Sequence, residues 1–245
     1  PIVVNAPVQT ALFQAAMNGF FEIVKLLVEH GADLNFPNKK DGFHFLPTGC
    51  ETPLSVACGH TTYGHFPFFE ARPIKRGSFE IASFLIDNGA RVNQADRHGT
   101  TPLINACLSG SSDIVAKLLQ HQDTDASRAG WMGNTALHAA CMSGSLESVK
   151  MLLKRPDVDV NRANEERVER SDGTFFTVRS RPLYLALELK HTDIALALLD
   201  RDDIDVQPIA HGPTSSLLAT ARRHGMRSVF ERLIQRGAVE RGKRA

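Results

Sequence analysis

The chain has 245 residues, of which 42% are hydrophobic and 22% charged, a composition typical of folded globular proteins and unlike that of disordered ones. No apolar run approaches the roughly 18 residues that a membrane-spanning helix needs, and no charged and then apolar leader opens the sequence, so we predict neither membrane insertion nor secretion. The formal net charge of +1 argues against a surface that binds polyanions generally, although eight Lys/Arg against two Asp/Glu are concentrated from Arg222 onward.

One pattern recurs along the chain. It is clearest in QTALFQAAMNGFFEIVKLLVEHGADLN (9–35), TTPLINACLSGSSDIVAKLL (100–119) and NTALHAACMSGSLESVKMLLKRPDVDVN (134–161). Its two halves appear separately in ETPLSVAC (51–58) and SFEIASFLIDNGARVN (78–93). Weaker copies follow at 181–200 and 215–238. A period of about 33 residues, with inserts in three copies, indicates a repeat protein.

Each copy predicts two short helices. Thr, followed in two copies by Pro, is a typical helix start, because Thr accepts a backbone N–H and Pro needs no donor there. The predicted helix-starting residues are Thr10, Thr52, Thr101, Thr135, Arg181 and Ser216. Glycines end many of the helices, and the second helix carries a pair of apolar residues. These pairs are Leu27–Val28, Leu85–Ile86, Leu118–Leu119, Leu152–Leu153, Leu198–Leu199 and Leu233–Ile234.

These residues resemble the ankyrin repeat family, whose motifs include the T-[PA]-L-x-x-A start, the [ED]-[IS]-V second helix and the endings GADLN and GARVN. The resemblance implies an all-α ankyrin-repeat solenoid of about six helix-turn-helix units with β-hairpin fingers, which are the loops between repeats. Two fingers are lengthened, and one insertion separates the helices of a repeat. We predict one domain over residues 1–245, with repeats near 8–35, 50–93, 99–126, 133–161, 179–206 and 214–240, and inserts at 36–49, 59–76 and 162–178.

The three inserts contain eight of the fourteen phenylalanines. Two of them include Asp-Gly, at Asp41–Gly42 and Asp172–Gly173, which favours a tight hairpin turn. The third, between the helices of the second repeat, contains four aromatic residues: Tyr63, Phe66, Phe68 and Phe69. Their rings either cover a flank of the stack or contact a partner, and both interpretations stay open.

Metal binding and catalysis find little support in the sequence. Four potential ligands lie close together: Cys50, Cys58, His60 and His65. Their spacing matches no familiar zinc pattern, and Cys58, Cys107 and Cys141 occupy equivalent positions in three repeats, which predicts small buried hydrophobes. The ankyrin resemblance implies that His138 connects adjacent turns. Because there is no nucleophile elbow, HExxH or P-loop, we predict no enzyme, no cofactor and no metal.

The ankyrin resemblance implies that partners bind at the fingertips and at the exposed end of each first helix. The matching fingertip residues are Arg97, His98, Trp131, Met132 and Asn134, and the matching helix residues are Met17, Asn18, Leu108, Met142, Glu188 and Leu189. Trp131 either contacts a partner or packs on an adjoining finger. Trp is common among residues that dominate binding energy, and Met suits adaptable recognition surfaces.

The two ends of the predicted stack differ in polarity. The arginines from Arg222 onward are expected to form the polar outer face of a terminal repeat. In the first repeat, Phe20, Phe21 and Ile23 keep an apolar edge, so either residues 1–8 cover it or an upstream segment does.

We predict a monomeric, non-catalytic scaffold in the cytoplasm, with the nucleus as a second candidate, that binds a protein or peptide and neither nucleic acid nor membrane. The alternative is an ankyrin module that recruits substrates for a larger enzyme or pathogen effector.

Overall fold

The structure, a computed structural model, describes residues 10–38, 51–60, 75–76, 78–169, 175–207 and 216–239. Within these ranges the chain forms twelve α-helices arranged as six antiparallel pairs. The predicted all-α architecture of ankyrin repeats is therefore confirmed. Residue contacts divide the chain into two units, Pro1–Trp131 and Met132–Ala245. The prediction of a single domain stays a prediction.

The first unit contains three helix pairs. They are α1 (Ala11–Asn18) and α2 (Phe21–Glu29), α3 (Pro53–Ala57) and α4 (Phe79–Asp87), and α5 (Pro102–Leu108) and α6 (Ser112–Gln120). Successive first helices contact one another, α1 with α3 and α3 with α5, and successive second helices do the same. Between α3 and α4, the short strands β1 (Gly59–His60) and β2 (Lys75–Arg76) pair antiparallel.

The second unit repeats this arrangement. Its helices are α7 (Ala136–Ser143) and α8 (Leu146–Leu152), α9 (Pro182–Glu188) and α10 (Thr192–Leu199), and α11 (Leu217–Arg223) and α12 (Arg227–Gln235). Strands β3 (Glu166–Glu169) and β4 (Phe175–Val178) form an antiparallel hairpin between α8 and α9, as predicted for a lengthened finger. No helix in the described part of the chain is long and apolar enough to span a membrane.

The helix starts follow the predicted capping residues. The Thr10 hydroxyl accepts a hydrogen bond from the Phe13 N–H at 3.0 Å, and Ser216 accepts one from the Ala219 N–H at 3.1 Å. At Thr52 the bond is reciprocal, since the Thr52 N–H donates to the Ser55 hydroxyl. Each bond satisfies a donor that the first helical turn leaves unpaired.

Stacking of the helix pairs forms the core. The small residues of the first helices are buried, and Cys58, Cys107 and Cys141 are fully buried among them, as predicted. In five repeats the first residue of the apolar pair is also fully buried: Leu85, Leu118, Leu152, Leu198 and Leu233. The second residue is less uniform, because it is half-buried at Leu119 and Leu153. Burial of a Leu side chain contributes about 2 kcal/mol.

An asparagine side chain connects neighbouring repeats at the loop after the second helix. The Asn35 side-chain oxygen accepts a hydrogen bond from the Arg91 N–H at 2.7 Å. In the same way, the Asn93 oxygen accepts from the Asp125 N–H at 3.0 Å, and the Asn161 oxygen accepts from the Asp205 N–H at 2.8 Å. These bonds fix the register of one repeat on the next.

One turn between paired helices lacks the glycine found elsewhere. Lys190 has φ +61°, in the left-handed region where a side chain costs about 1 kcal/mol. We therefore expect Lys190→Gly to raise the free energy of unfolding by about 0.5–1 kcal/mol, measured by urea titration. Lys190→Ala keeps a β-carbon and is the control. Equal stability of the Gly and Ala variants would contradict the explanation.

Candidate partner-binding surfaces

In the first unit, the finger before α5 is a tight turn that presents Arg97 and His98. The Asp96 carboxylate accepts hydrogen bonds from the N–H groups of His98 and Thr100, both at 2.8 Å. Burial raises the pKa of Asp96, and these two N–H donors partly offset that effect. The turn therefore holds the two side chains at a fixed place on the surface.

Trp131 lies beside this turn. Its ring meets the His98 imidazole edge-on, with ring centroids 4.7 Å apart and an interplanar angle of 77°. The Arg97 Nε donates to the His98 Nε2 at 3.1 Å, which requires that nitrogen to be unprotonated. Trp131 is nevertheless 39% exposed. The indole packs on an adjoining finger and still offers a face to solvent, so contact with a partner stays a prediction. We call Arg97, His98 and Trp131 the fingertip surface.

Close backbone contact between two fingers positions the fingertip surface. A β-carbon on Gly130 would lie 3.1 Å from the Thr100 Cα, and one on Gly99 would lie 3.1 Å from the Ala129 carbonyl oxygen. Gly99 also has φ +80°, which disfavours any side chain. The glycines on both sides of this surface are thus required for the fingers to approach each other.

The first-helix residues of this unit differ in exposure, and their contact with a partner stays a prediction. Met17 and Leu108 are half-buried, and Asn18 is exposed. In the second repeat the equivalent residue is Gly59, which starts β1, and β1 contacts both α3 and α5. The interhelical insert therefore leaves the stack at the position where other repeats carry an apolar contact residue. The sequence signal for this difference is a glycine in place of Met or Leu.

Residues 61–74 lie outside the described part of the chain. They include Tyr63, Phe66, Phe68 and Phe69, so a partner contact by these four rings stays a prediction. Cys50 and His65 are outside it as well. Among the described residues, no group of three or more His, Cys, Asp or Glu could hold a metal ion.

In the second unit, Met132 and Asn134 have structural partners. The Met132 carbonyl accepts a hydrogen bond from the Glu165 N–H at 2.7 Å, and Met132 itself has φ +56°. The Asn134 side-chain oxygen accepts from the Asn164 side chain at 2.9 Å. Met142, at the end of α7, is half-buried. Asn134 thus contributes to joining one finger to the next, whatever its role toward a partner.

Glu188 lies at the centre of a polar cluster between α9 and α11. Its carboxylate accepts hydrogen bonds from the Tyr184 hydroxyl and from the Arg223 guanidinium, the latter at 2.6 Å, and the His224 Nε2 lies 3.5 Å away. Partial burial tends to raise the pKa of Glu188, but the donors lower it below its usual value. Burial and the neighbouring carboxylate raise the pKa of Tyr184. The adjacent Leu189 is 44% exposed.

His138 lies in the core and forms hydrogen bonds there. It is fully buried, with its Nδ1 3.2 Å from the Thr135 N–H and its Nε2 3.3 Å from the Ser180 carbonyl oxygen. Burial lowers its pKa to about 4. These contacts connect a helix start to the finger of the next repeat and agree with the role expected from the sequence.

The terminal arginines pair with acids of the preceding repeat. Arg223 lies 2.6 Å from Glu188, and Arg232 lies 2.8 Å from Asp200. These pairs attach the last repeat to the one before it and account for part of the basic concentration, whereas the polar outer face of a terminal repeat stays a prediction. Each exposed pair contributes at most about 1 kcal/mol.

Comparison with known families agrees with this geometry. A model of three ankyrin repeats matches residues 68–164, and a single ankyrin repeat model matches residues 9–39. The ankyrin repeat and KH domain-containing protein mask-1 of Caenorhabditis elegans is 31% identical over 112 residues, which are 46% of this chain and 3% of that protein. The ankyrin repeat protein FPV222 of fowlpox virus (strain NVSL) is 32% identical over 121 residues, covering 43% of this chain and 15% of the relative. The chain therefore belongs to the ankyrin repeat family.

Proposed function

We propose that this chain is a non-catalytic scaffold that binds a partner protein or peptide through the fingertip surface, the apolar ends of its first helices and the interhelical insert. Ankyrin repeats are in general protein–protein interaction modules, which supports the coarser part of the proposal. The observation that carries the finer part is Trp131, which is held edge-on against His98 and still exposes 39% of its surface.

A fixed fingertip favours binding because little conformational entropy is lost when a partner arrives. The turn at Asp96 and the close contact of Gly130 with Thr100 restrict the backbone before binding. A partner that covers the exposed indole removes apolar area from water, and a buried Trp commonly contributes about 2 kcal/mol or more to an interface. Buried thiols such as Cys141 suit a reducing compartment, so we place the scaffold in the cytoplasm or nucleus.

Binding measurements on Trp131 variants test the proposal. A protein that the wild-type chain retains from a cell extract is purified and titrated against each variant by calorimetry. We expect Trp131→Ala to weaken the affinity about 30-fold, equivalent to about 2 kcal/mol, and Trp131→Phe to retain most of it. Gln235→Ala, an exposed change on α12, is the control. Equal affinities for all four proteins, each with native circular dichroism, would overturn the proposal.

A second candidate function is a substrate-recruiting module of a larger enzyme or effector. The matched relatives favour it in one respect, because the chain corresponds to only 3% and 15% of their lengths. The insert offers a test that separates recruitment from catalysis. Replacing residues 60–75 by a short turn should reduce capture of the substrate protein, while turnover of a small substrate analogue by the full-length enzyme should be unchanged.

A further inference from the structure

The first repeat exposes an apolar face on its second helix. Phe20 is 55% exposed, Ile23 48% and Leu26 55%. All three lie on or immediately before α2, at a spacing of three residues that places them on one side of a helix. We call Phe20, Ile23 and Leu26 the leading face.

In four other repeats the residue equivalent to Ile23 is apolar and buried. These residues are Ile81 and Ile114 in the first unit and Ile194 and Val229 in the second, none more than 2% exposed. Each belongs to a second helix that contacts the second helix of the preceding repeat: α4 with α2, α6 with α4, α10 with α8 and α12 with α10. Val229 is decisive, because no described repeat follows α12 and its burial must come from the preceding repeat.

The covering helices share one chemical pattern. The residue that follows the Ile23 position faces the next repeat, since Val24 is fully buried in the first repeat although no described repeat precedes it. In α4, α8 and α10 this residue is Ala82, Val149 and Ala195, all fully buried. A helix that covers the leading face therefore needs a small aliphatic residue at this position, which allows the close approach of the two helices.

A backbone N–H group, that of Asp33, lies at the same edge of the first repeat. In two later repeats an aspartate side chain closes this loop, and its own N–H donates to an asparagine of the preceding repeat. These bonds run from Asp125 to Asn93 and from Asp205 to Asn161. Asp33 closes the equivalent loop of the first repeat, where its carboxylate accepts from the Asn35 N–H at 2.9 Å. No described asparagine side chain reaches the Asp33 N–H, so this second feature points to the same kind of missing neighbour.

We propose that the leading face and the Asp33 loop form a docking surface for one further ankyrin-type repeat, joined on the N-terminal side of Thr10. Its second helix would present a small aliphatic residue to Ile23, and its loop asparagine would accept from the Asp33 N–H. This repeat belongs to the same polypeptide. Within each unit, every described second helix that is covered on the equivalent face is covered by the repeat immediately before it in the chain.

A second copy of this chain fits the surface less well. The last repeat carries Phe230 where the other covering helices carry Ala or Val, and the Arg222 guanidinium lies 5.1 Å from the centre of that ring. The neighbouring side of α12 also presents Arg227, which is largely exposed. A bulky ring with arginines around it does not match the small aliphatic residue that the leading face requires.

Hydrogen exchange on an extended chain tests the proposal. Residues 1–9 are replaced by a copy of residues 133–161, a complete helix pair ending in the Asn161 equivalent, followed by a copy of residues 94–100 as the finger. We expect the amides of α2 to exchange at least about tenfold more slowly than in the original chain, because docking suppresses local opening. The same extended chain with Ile23→Glu is the matched control and should lose this protection. Unchanged exchange in α2 would overturn the proposal.

If the extended chain does not fold, three measurements on the original chain test the same proposal. If the leading face is open, Ile23→Glu should leave the thermal midpoint nearly unchanged, whereas Ile114→Glu at the equivalent buried position should lower it sharply. An equal loss from both variants would show that the face is already covered. Faster exchange in α2 on deletion of residues 1–9, or a dimer that Ile23→Glu dissociates, would identify another occupant and overturn the proposal.

Discussion

Lowering the pH from 7 to 4 is expected to reduce the free energy of unfolding by about 3 kcal/mol through one side chain, His138. The folded chain holds its pKa at about 4, because the imidazole is buried away from water. An unfolded chain restores the ordinary value near 6.5. The unfolded state therefore binds more protons between pH 6.5 and 4, so stability is complete above this window and is lost as the pH falls through it.

The hydrogen bonds of His138 explain why protonation is unfavourable. Its Nδ1 accepts from the Thr135 N–H, so the proton of the neutral ring lies on Nε2 and faces the Ser180 carbonyl oxygen. A second proton on Nδ1 would oppose the Thr135 N–H, require the Thr135 hydroxyl 2.8 Å away to accept instead of donate, and place a charge on a fully buried ring. These consequences favour unfolding.

Urea unfolding between pH 4 and 7 measures the effect, and NMR titration of the His138 ring checks the pKa directly. His138→Gln removes the titrating group, so its stability should vary less with pH and should approach that of the wild type near pH 4. His30→Gln, a change at an exposed histidine, should keep the wild-type slope. Parallel curves for wild type and His138→Gln would contradict the assignment.

Local rules made the helices and their caps predictable from the sequence. Thr10 and Ser216 were expected to start helices because a side-chain oxygen satisfies the first free N–H groups, and both accept such a bond. The equivalence of Cys58, Cys107 and Cys141 predicted buried core positions, because one local pattern placed each of them on the same side of its first helix. A single helix does not indicate which of its sides faces the core, and the comparison of equivalent positions in three repeats indicated that side.

The polar cluster around Glu188 could not be predicted in the same way. Its donors come from two helices, Tyr184 on α9 and Arg223 on α11, and the bonds form only when the repeats stack in one particular register. The ankyrin resemblance indicates Glu188 as a contact residue only from its position in the repeat. Its carboxylate is already bonded to Arg223, so a partner would meet a neutralised pair instead of an isolated negative charge.

Replacing Gly59 by Ala is expected to lower the free energy of unfolding by about 3 kcal/mol. The backbone there has φ +137°, a conformation that side chains rarely adopt, and forcing one costs about 1–3 kcal/mol. An added β-carbon would also lie 2.6 Å from the Ser109 Cβ and 3.2 Å from the Asn105 carbonyl oxygen. Overpacking of this kind adds about 1–3 kcal/mol, although local movement can relieve part of the total.

A double-mutant cycle separates the two contributions. Gly19→Ala is the control for a positive φ without steric overlap, because Gly19 has φ +80° and no atom within 4 Å of an added β-carbon. Ser109→Gly removes the closest atoms, so the pair Gly59→Ala and Ser109→Gly should recover about 1 kcal/mol relative to additivity. The Ser109 hydroxyl also donates to the Cys58 carbonyl oxygen at 2.9 Å. The cycle therefore also tests how firmly the stack holds the start of the insert. Strict additivity would mean that the helices separate freely there, and that the stack does not hold the insert in a fixed position.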